Sequence, residues 1–446
     1  MSLVKDLLEK RSQATSDRPF LYGAELVTEG MHLGFAKYND VWRVQRRLVH
    51  DSFSQTASLN YVQIQKAESV QLLYDCLTQP KEFYNHISRQ AFSLILSILF
   101  GKRAPQNEAR EMVDYYAMEK VWQKVVTPGV VPPVEHLPFL KYLPKFLAPW
   151  KIYCETAKRL QHELFYGLLR ETKNRMAQGY ENGCFIEKAI ARQAEIGLSD
   201  EQIAYLGGVL IEGGGGTTAS WLKALVQAMV VYPDAQKKAQ EELDKVIGDQ
   251  RIPTLDDLPS LPYIQAIIKE VHRWRPVGPL GIPHATSEEV NYAGYHIPAG
   301  ATIFINTWGI SHDPDIYERP DDFWPDRWML NESGAKPGAS HPGLIPAWFG
   351  AGRRGCPGVH LASNALVINT MNLLWAFKFT PEIDVQTGKP IAIDTFAFAG
   401  GPELCPKEFV CSIQPRGTRH KEIIENEFLS ARAVLDQYEY ALNGKD

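Results

Sequence analysis

The chain has 446 residues, 45% of them hydrophobic and 22% charged, with a net charge of −5. That composition describes a globular protein with ample core, and an acidic balance without a long basic run excludes a nucleic-acid partner. Six cysteines (76, 154, 184, 356, 405 and 411) make no Cys-x-x-Cys pair and have no clustered histidines, which excludes a structural zinc site or a disulfide framework and points to a reducing compartment. No stretch reaches the roughly eighteen apolar residues of a membrane span, and the first residues do not read as a signal peptide.

In chain order, residues 4–11 read as a short helix ended by the turn Ser16-Asp-Arg-Pro19. Residues 23–37 show no clear period. Residues 39–49 read as a helix with Trp42 and Arg46 one turn apart on one face, and Arg43 and Arg47 as a second pair; Trp42 and Arg46 alone fit a packing or cation–π pair equally well. Two helices follow over 61–79 and 85–100. Six prolines between 127 and 150 forbid a long helix there, leaving a linker or an apolar lid. Helix returns over 152–178.

Ser199-Asp-Glu-Gln202 is a capping box, predicting a helix of more than thirty residues that ends before Pro233. That helix contains Gly213 to Gly216 followed by Thr217 and Thr218. Four mid-helix glycines cost about 3–4 kcal/mol relative to alanine, so the surroundings must hold it, and the glycines suit a flat ligand against the backbone. The threonine hydroxyls are expected to bond back to a carbonyl and open a bulge. A charged helix spans 234–248, and another, over 261–274, carries Glu270 and Arg273, a spacing usual for a solvated surface pair.

Residues 275–284 are too proline-rich for helix or central strand. A turn over 294–300 feeds a strand over 301–306, with further strands over 377–379, 396–398 and 409–414. From His420 onward a polar helix reads as a surface tail. No repeat interrupts the order. The expectation is one domain over 1–446, mainly α with small β-sheets.

Chemistry concentrates in residues 349–358, Phe-Gly-Ala-Gly-Arg-Arg-Gly-Cys-Pro-Gly, just before an apolar helical run. A cysteine at a glycine-rich turn before a helix N-terminus has its thiolate favoured by the dipole and nearby N–H groups. Arginines beside it suit carboxylates. Together these suggest haem with a sulfur ligand.

This stretch, with Trp42-x-x-x-Arg46, Glu270-x-x-Arg273 and Pro325-Asp-Arg-Trp328, resembles in order the motifs of the cytochrome P450 family, over residues 3–417. The resemblance implies the single-domain P450 fold and heme b ligated by Cys356. It places Trp42, Arg46, His284, Phe349, Gly352, Arg354 and Gly358 against the cofactor. Glu270, Arg273 and Arg327 become a buried structural network beneath the cysteine loop. Thr217, Thr218 and Glu212 fall on the oxygen side, where relatives carry an acid at the position of Gly216; the missing acid predicts less efficient proton delivery. Val277, Gly278, Leu280, Ile282 and Leu404 become substrate contacts, apolar enough to imply a neutral organic substrate.

The implied partners are O2 and an NADPH-cytochrome P450 reductase, met by Arg43 and Arg47. The implied location is the cytosolic face of the endoplasmic reticulum membrane, with the 127–150 segment as an apolar lid. The motif style resembles fungal members in secondary metabolism or xenobiotic oxidation. Eukaryotic members carry an anchor and two strands ahead of a segment like residues 3–22, so the chain reads as N-terminally truncated, with strand 301–306 left unpaired. A same-fold peroxygenase or isomerase, or a non-catalytic haem-binding paralogue, are the alternatives.

Overall fold

The structure, a computed structural model, describes residues 2–339, 347–399 and 401–439. Ten helices of thirteen residues or more dominate the described chain: α1 Asp40–Phe53, α2 Val62–Thr78, α3 Phe83–Phe100, α4 Arg110–Val126, α5 Trp150–Ala177, α6 Asp200–Val231, α7 Pro233–Val246, α8 Pro262–Trp274, α9 Val359–Ala376 and α10 Thr418–Leu435. Local chemistry sets their ends. Asn39 accepts the Trp42 N–H at 2.8 Å to start α1. The Ser199 hydroxyl takes the Gln202 N–H while the Gln202 side chain takes the Ser199 N–H at 2.9 Å, so the capping box starts α6. Pro233 follows directly on the last turn.

Helix α6 joins the two halves of the core. Ile203 to Ile211 lie in one buried cluster with Phe92, Phe100 and Phe165. Ala219 to Val230 lie in a second, with Trp274, Met371 and Trp375. The glycine run falls between the two clusters, and the helix stays regular through it. The expected bulge is absent: Thr217 does bond back to the Gly213 carbonyl at 2.7 Å, yet no turn widens. The glycines also serve different neighbours. A Cβ on Gly214 would stand 2.7 Å from Ile95 of α3, whereas Gly213 faces open space. Close helix packing explains Gly214 and leaves Gly213 as the bare face.

Three two-stranded antiparallel sheets flank the helices. β1 (His284–Ala285) pairs with β4 (Thr302–Ile303), β2 (Val290–Tyr292) with β3 (Tyr295–Ile297), and β5 (Phe377–Pro381) with β6 (Cys411–Pro415). Ala293 and Gly294, both left-handed at φ 49° and 82°, close the β2–β3 hairpin. The expected unpaired strand over 301–306 is corrected on this evidence. Only Thr302 and Ile303 are strand, they pair with β1, and Ala285 donates in turn to the Asp17 carbonyl at 2.7 Å. Residues 396–398 give a single bridge, Phe398 to Pro406, rather than a strand.

Helices outside the sequence expectations include Tyr22–Thr28, which overlaps the stretch without a period, Phe185–Ala191 and α4. The C-terminal helix is more than a surface tail, because α10 buries Ile423, Ile424 and Leu435 and stacks Phe428 on Tyr74 at 4.0 Å. Arg103 then donates to Glu439, fastening the residues beyond it.

Candidate active site

The cysteine loop is held by glycine geometry. Gly350 and Gly352 take φ of 77° and 61°, a region that disfavours side chains. A Cβ on Gly352 would meet the Leu8 carbonyl oxygen at 1.8 Å; this glycine therefore docks the loop onto the N-terminal segment. The Cys356 N–H donates to the Phe349 carbonyl at 2.6 Å, and α9 begins three residues later. The thiol is free. Burial raises its pKa, opposed by the Gly358 N–H and by the charge of Arg46. A Cβ on Gly358 would touch nothing within 4 Å, so the approach to the sulfur is bare there. Behind the loop, His272 stacks on Trp348 at 5.0 Å and meets Phe349 edge-on. Burial pushes His272 down to about 3, so it is neutral.

Glu270 is the hub of the network beneath. It accepts from Arg273 at 2.8 and 3.0 Å, from Arg327 at 3.1 and 3.2 Å, from the Trp328 indole at 2.8 Å and from the Trp324 N–H at 2.8 Å. Arg273 spends its other donors on the carbonyls of Ser311, Pro320 and Asp322, and Arg327 on those of Glu318 and Arg319. All three charged groups are buried, and every one has opposite-charge and backbone partners. The surface-pair reading of Glu270 and Arg273 does not hold. Trp328 packs edge-on against Trp348, linking the network to the loop.

A second group of charges has no such pairing. Arg354 donates to the carbonyls of Ser16, Leu33 and Ala36 and lies over the Trp42 ring at 4.1 Å. Arg46 donates to the Gly355 carbonyl at 2.6 Å. Arg18, which the sequence analysis passed over, donates to the carbonyls of Gly34, Ile282 and Pro283. None of the three has a carboxylate within 4 Å among the described residues. Burial, with the charge of Arg354, lowers Arg18 to about 9, and burial lowers Arg354 to about 10. His284 sits with them, its Nδ1 2.9 Å from the Thr15 carbonyl oxygen. Burial and the neighbouring Arg18 and Arg354 depress it to about 4, so it is neutral at physiological pH. The Trp42 indole donates to the Leu33 carbonyl at 3.1 Å, framing the same pocket.

Across the glycine helix lie acids. Glu212 is buried and accepts from His32 Nε2 at 3.0 Å and from Gln161 at 3.3 Å. Because His32 Nδ1 accepts the Gly34 N–H, its proton sits on Nε2. Thr217 is half-buried and Thr218 buried. Glu403, in the C-terminal turn, reaches the helix at Gly216, and burial with the nearby Glu212 raises it to about 7. Glu119 of α4 is raised well above its usual range by burial and by Glu212 and Glu403. The turn is fixed by the Leu404 N–H, which donates to the Val277 carbonyl at 2.7 Å and so joins two of the expected substrate stretches. Gly278 lies in the turn closed by Gly281, while Leu280 and Ile282 are exposed. The sequence expected these stretches to be nearly uncharged; Glu403 and Glu119 add acidity to that surroundings. A lone glutamate inside an apolar turn was the available signal.

The donor set fits a thiolate-ligated haem: one free cysteine on a glycine loop, with a bare approach, and the buried Arg18 and Arg354 with the half-buried Arg46, none with a carboxylate partner among the described residues, for its two propionates. Comparison with known proteins agrees. The family described as Cytochrome P450 matches residues 1–397. A cytochrome P450 monooxygenase of Armillaria gallica is 40% identical over 440 residues, 98% of this chain and 83% of that protein. The cytochrome P450 monooxygenase macC of Penicillium terrestre is 37% identical over 98% of this chain and 84% of its own length. A zebra fish cytochrome P450 solved with progesterone superposes with a TM-score of 0.76 at 23% identity, covering 93% of this chain and 92% of its own, which speaks for the fold. The chain belongs to the cytochrome P450 family, and it is an enzyme of that class.

Proposed function

We propose that the protein is a monooxygenase that inserts one atom of O2 into a neutral organic substrate, with electrons passed from NADPH by a cytochrome P450 reductase. The observation that carries this reading is Cys356, held at the start of α9 by its N–H bond to Phe349 with an unpaired guanidinium on the same loop. Haem bound to that sulfur supplies the oxygen activation. The chain's own residues have simpler tasks. Arg18, Arg46 and Arg354 hold the propionates, the Glu270 network keeps the loop rigid, and Val277 and Leu404 bound the substrate.

Fungal secondary metabolism or xenobiotic oxidation is the setting, in keeping with relatives such as macC. The location is the cytosolic face of the endoplasmic reticulum membrane. No described helix is long and apolar enough to cross a membrane, but the proline-rich segment after α4 presents Phe139, Tyr142 and Phe146, exposed by 62, 86 and 82%, apolar area suited to a lipid surface. Arg43 and Arg47, on the outer face of α1, are available to an acidic reductase.

The test supplies the haem-loaded protein with reductase, NADPH and isotopically labelled O2 against a panel of neutral organic compounds. Incorporation of one labelled oxygen that requires the reductase is expected. Product from peroxide alone, with none from the reductase system, would instead support the peroxygenase reading.

A further inference from the structure

Residue 216 of α6 has no side chain, and the space beside it is filled from elsewhere. A Cβ built on Gly216 would stand 2.9 Å from Oε2 of Glu403, with no other side chain among its nearest atoms. Glu403 comes from the C-terminal turn, nearly two hundred residues away, and that turn is fixed in place by the Leu404–Val277 hydrogen bond. Its carboxyl group makes no hydrogen bond or ion pair among the described residues. It stands next to the one helical position that precedes Thr217.

Resting on the monooxygenase reading, we propose that Glu403 supplies from outside the helix the carboxyl group that residue 216 lacks, and that it works with the Thr217 hydroxyl as the proton donor of the reaction. The overall chemistry converts R–H, O2, two electrons and two protons into R–OH and water. The O–O bond breaks, one oxygen enters the C–H bond, and the other leaves as water with both protons. NADPH supplies the electrons through the reductase, and solvent restores the proton that Glu403 gives up.

The surroundings suit a carboxyl that is protonated for part of the time. Glu212 and Glu119 are near and acidic, and Lys223 is the nearby cation. Lys223 is itself occupied, donating to the Ser88 hydroxyl at 2.8 Å and lying 3.7 Å over the Tyr84 ring. Tyr115 and Tyr116 of α4, and Cys405 and Glu408 beyond it in the chain, are further ionisable groups in these surroundings. The Tyr115 hydroxyl is fully buried without a partner, 3.6 Å from where a Gly215 Cβ would stand. A donor near pH 7 is matched to general acid work. Glu212 is less suited, since both of its oxygens already accept hydrogen bonds from His32 and Gln161.

Two arms test this. The first is infrared: a protonated-carboxyl stretch that titrates near neutrality is expected in the wild type, lost in Glu403→Gln, and shifted in Gly216→Ala, whose methyl crowds the carboxyl. No change in either variant overturns the placement, whether or not the protein turns over any substrate. The second uses 7-ethoxycoumarin as probe. Positioned proton transfer typically contributes about 10²–10⁴-fold, so Glu403→Gln should lose about 10²-fold or more in product per NADPH, with the red-shifted carbon monoxide band intact. Gly216→Asp in the Glu403→Gln background should recover much of that loss. Unchanged coupling, or a raised KM alone, would make Glu403 a substrate contact and overturn the proposal. A wild type that makes no product with the reductase from 7-ethoxycoumarin or from any compound of the neutral panel refutes the monooxygenase reading instead, leaving the infrared arm to decide the placement.

Discussion

Two groups of largely buried charge surround the candidate site, and they are partnered in opposite ways. Beneath the cysteine loop, Glu270 satisfies Arg273 and Arg327 at once, the Trp328 indole and the Trp324 backbone N–H donate to the same carboxylate, and the terminal guanidinium nitrogens reach carbonyls. In the second group Arg18, Arg46 and Arg354 are bonded to carbonyls alone among the described residues, and Glu403, beside the glycine helix, to nothing described. Desolvating a charge costs several kcal/mol unless partners offset it. A charge that is fully paired inside the chain holds the fold; one buried without its opposite is kept for something that binds or reacts. Arg275, buried over the Trp274 and Phe396 rings and bonded to the carbonyls of Thr395 and Trp274, shows that aromatic faces can also take the place of a carboxylate.

Breaking the paired side should have the largest effect. Glu270→Ala strands two buried guanidiniums, a change that typically costs about 3–5 kcal/mol, enough to unfold a marginal protein. The expected outcome is little soluble, haem-loaded protein, read by yield and by the denaturation midpoint. A stable holoprotein with merely slower turnover would remove Glu270 from the scaffold.

His284 sharpens the comparison through pH. Its folded pKa, about 4, lies below the unfolded value of about 6.5, so between those pH values the unfolded chain binds more protons. Its contribution is therefore complete above pH 6.5 and is lost as pH falls toward 4. The full difference corresponds to about 3 kcal/mol. His284→Gln should flatten the fall of apoprotein stability across that window, measured by denaturant titration at pH 4.5, 5.5 and 7. An unaltered slope would show that His284 is not buried beside the arginines in the folded chain.

Arg18 gives the smallest expected effect of the three and the most specific one. A hydrogen bond to a charged group contributes about 1.5–3 kcal/mol, so Arg18→Leu should release haem about 10- to 100-fold faster, followed by transfer of haem to an acceptor apoprotein. Equal release from both proteins would leave Arg18 with a purely structural task in tying residue 34 to the 282–283 carbonyls.

What could be read in the sequence follows the range of the interactions. Asn39 and Ser199 act on residues three positions away, and both helix starts were legible. The cysteine loop is also local, so Cys356, Gly352 and Arg354 stood out together. Arg18 was not legible, because its partners lie at Gly34 and at Ile282 and Pro283, far along the chain, with no spacing rule to connect them. Glu403 was invisible as an acid at Gly216 for the same reason. Helix α4, which brings Tyr115 and Glu119 to that site, lacks a side-chain cap hydrogen bond at its start, so nothing local announced it. Leu404 was expected beside the substrate from the family resemblance, and the charged residue before it, Glu403, is the one the fold brings to the glycine helix.

Cys356, the proposed haem ligand, is the residue on which the roles proposed for both sets of charges depend. The direct measurement is the carbon monoxide difference spectrum of the reduced protein, recorded for the wild type and for Cys356→Ala prepared in parallel. The wild type is expected to show the red-shifted Soret band of a thiolate-ligated haem, and the variant to lose it completely. The same band surviving in Cys356→Ala would contradict that assignment.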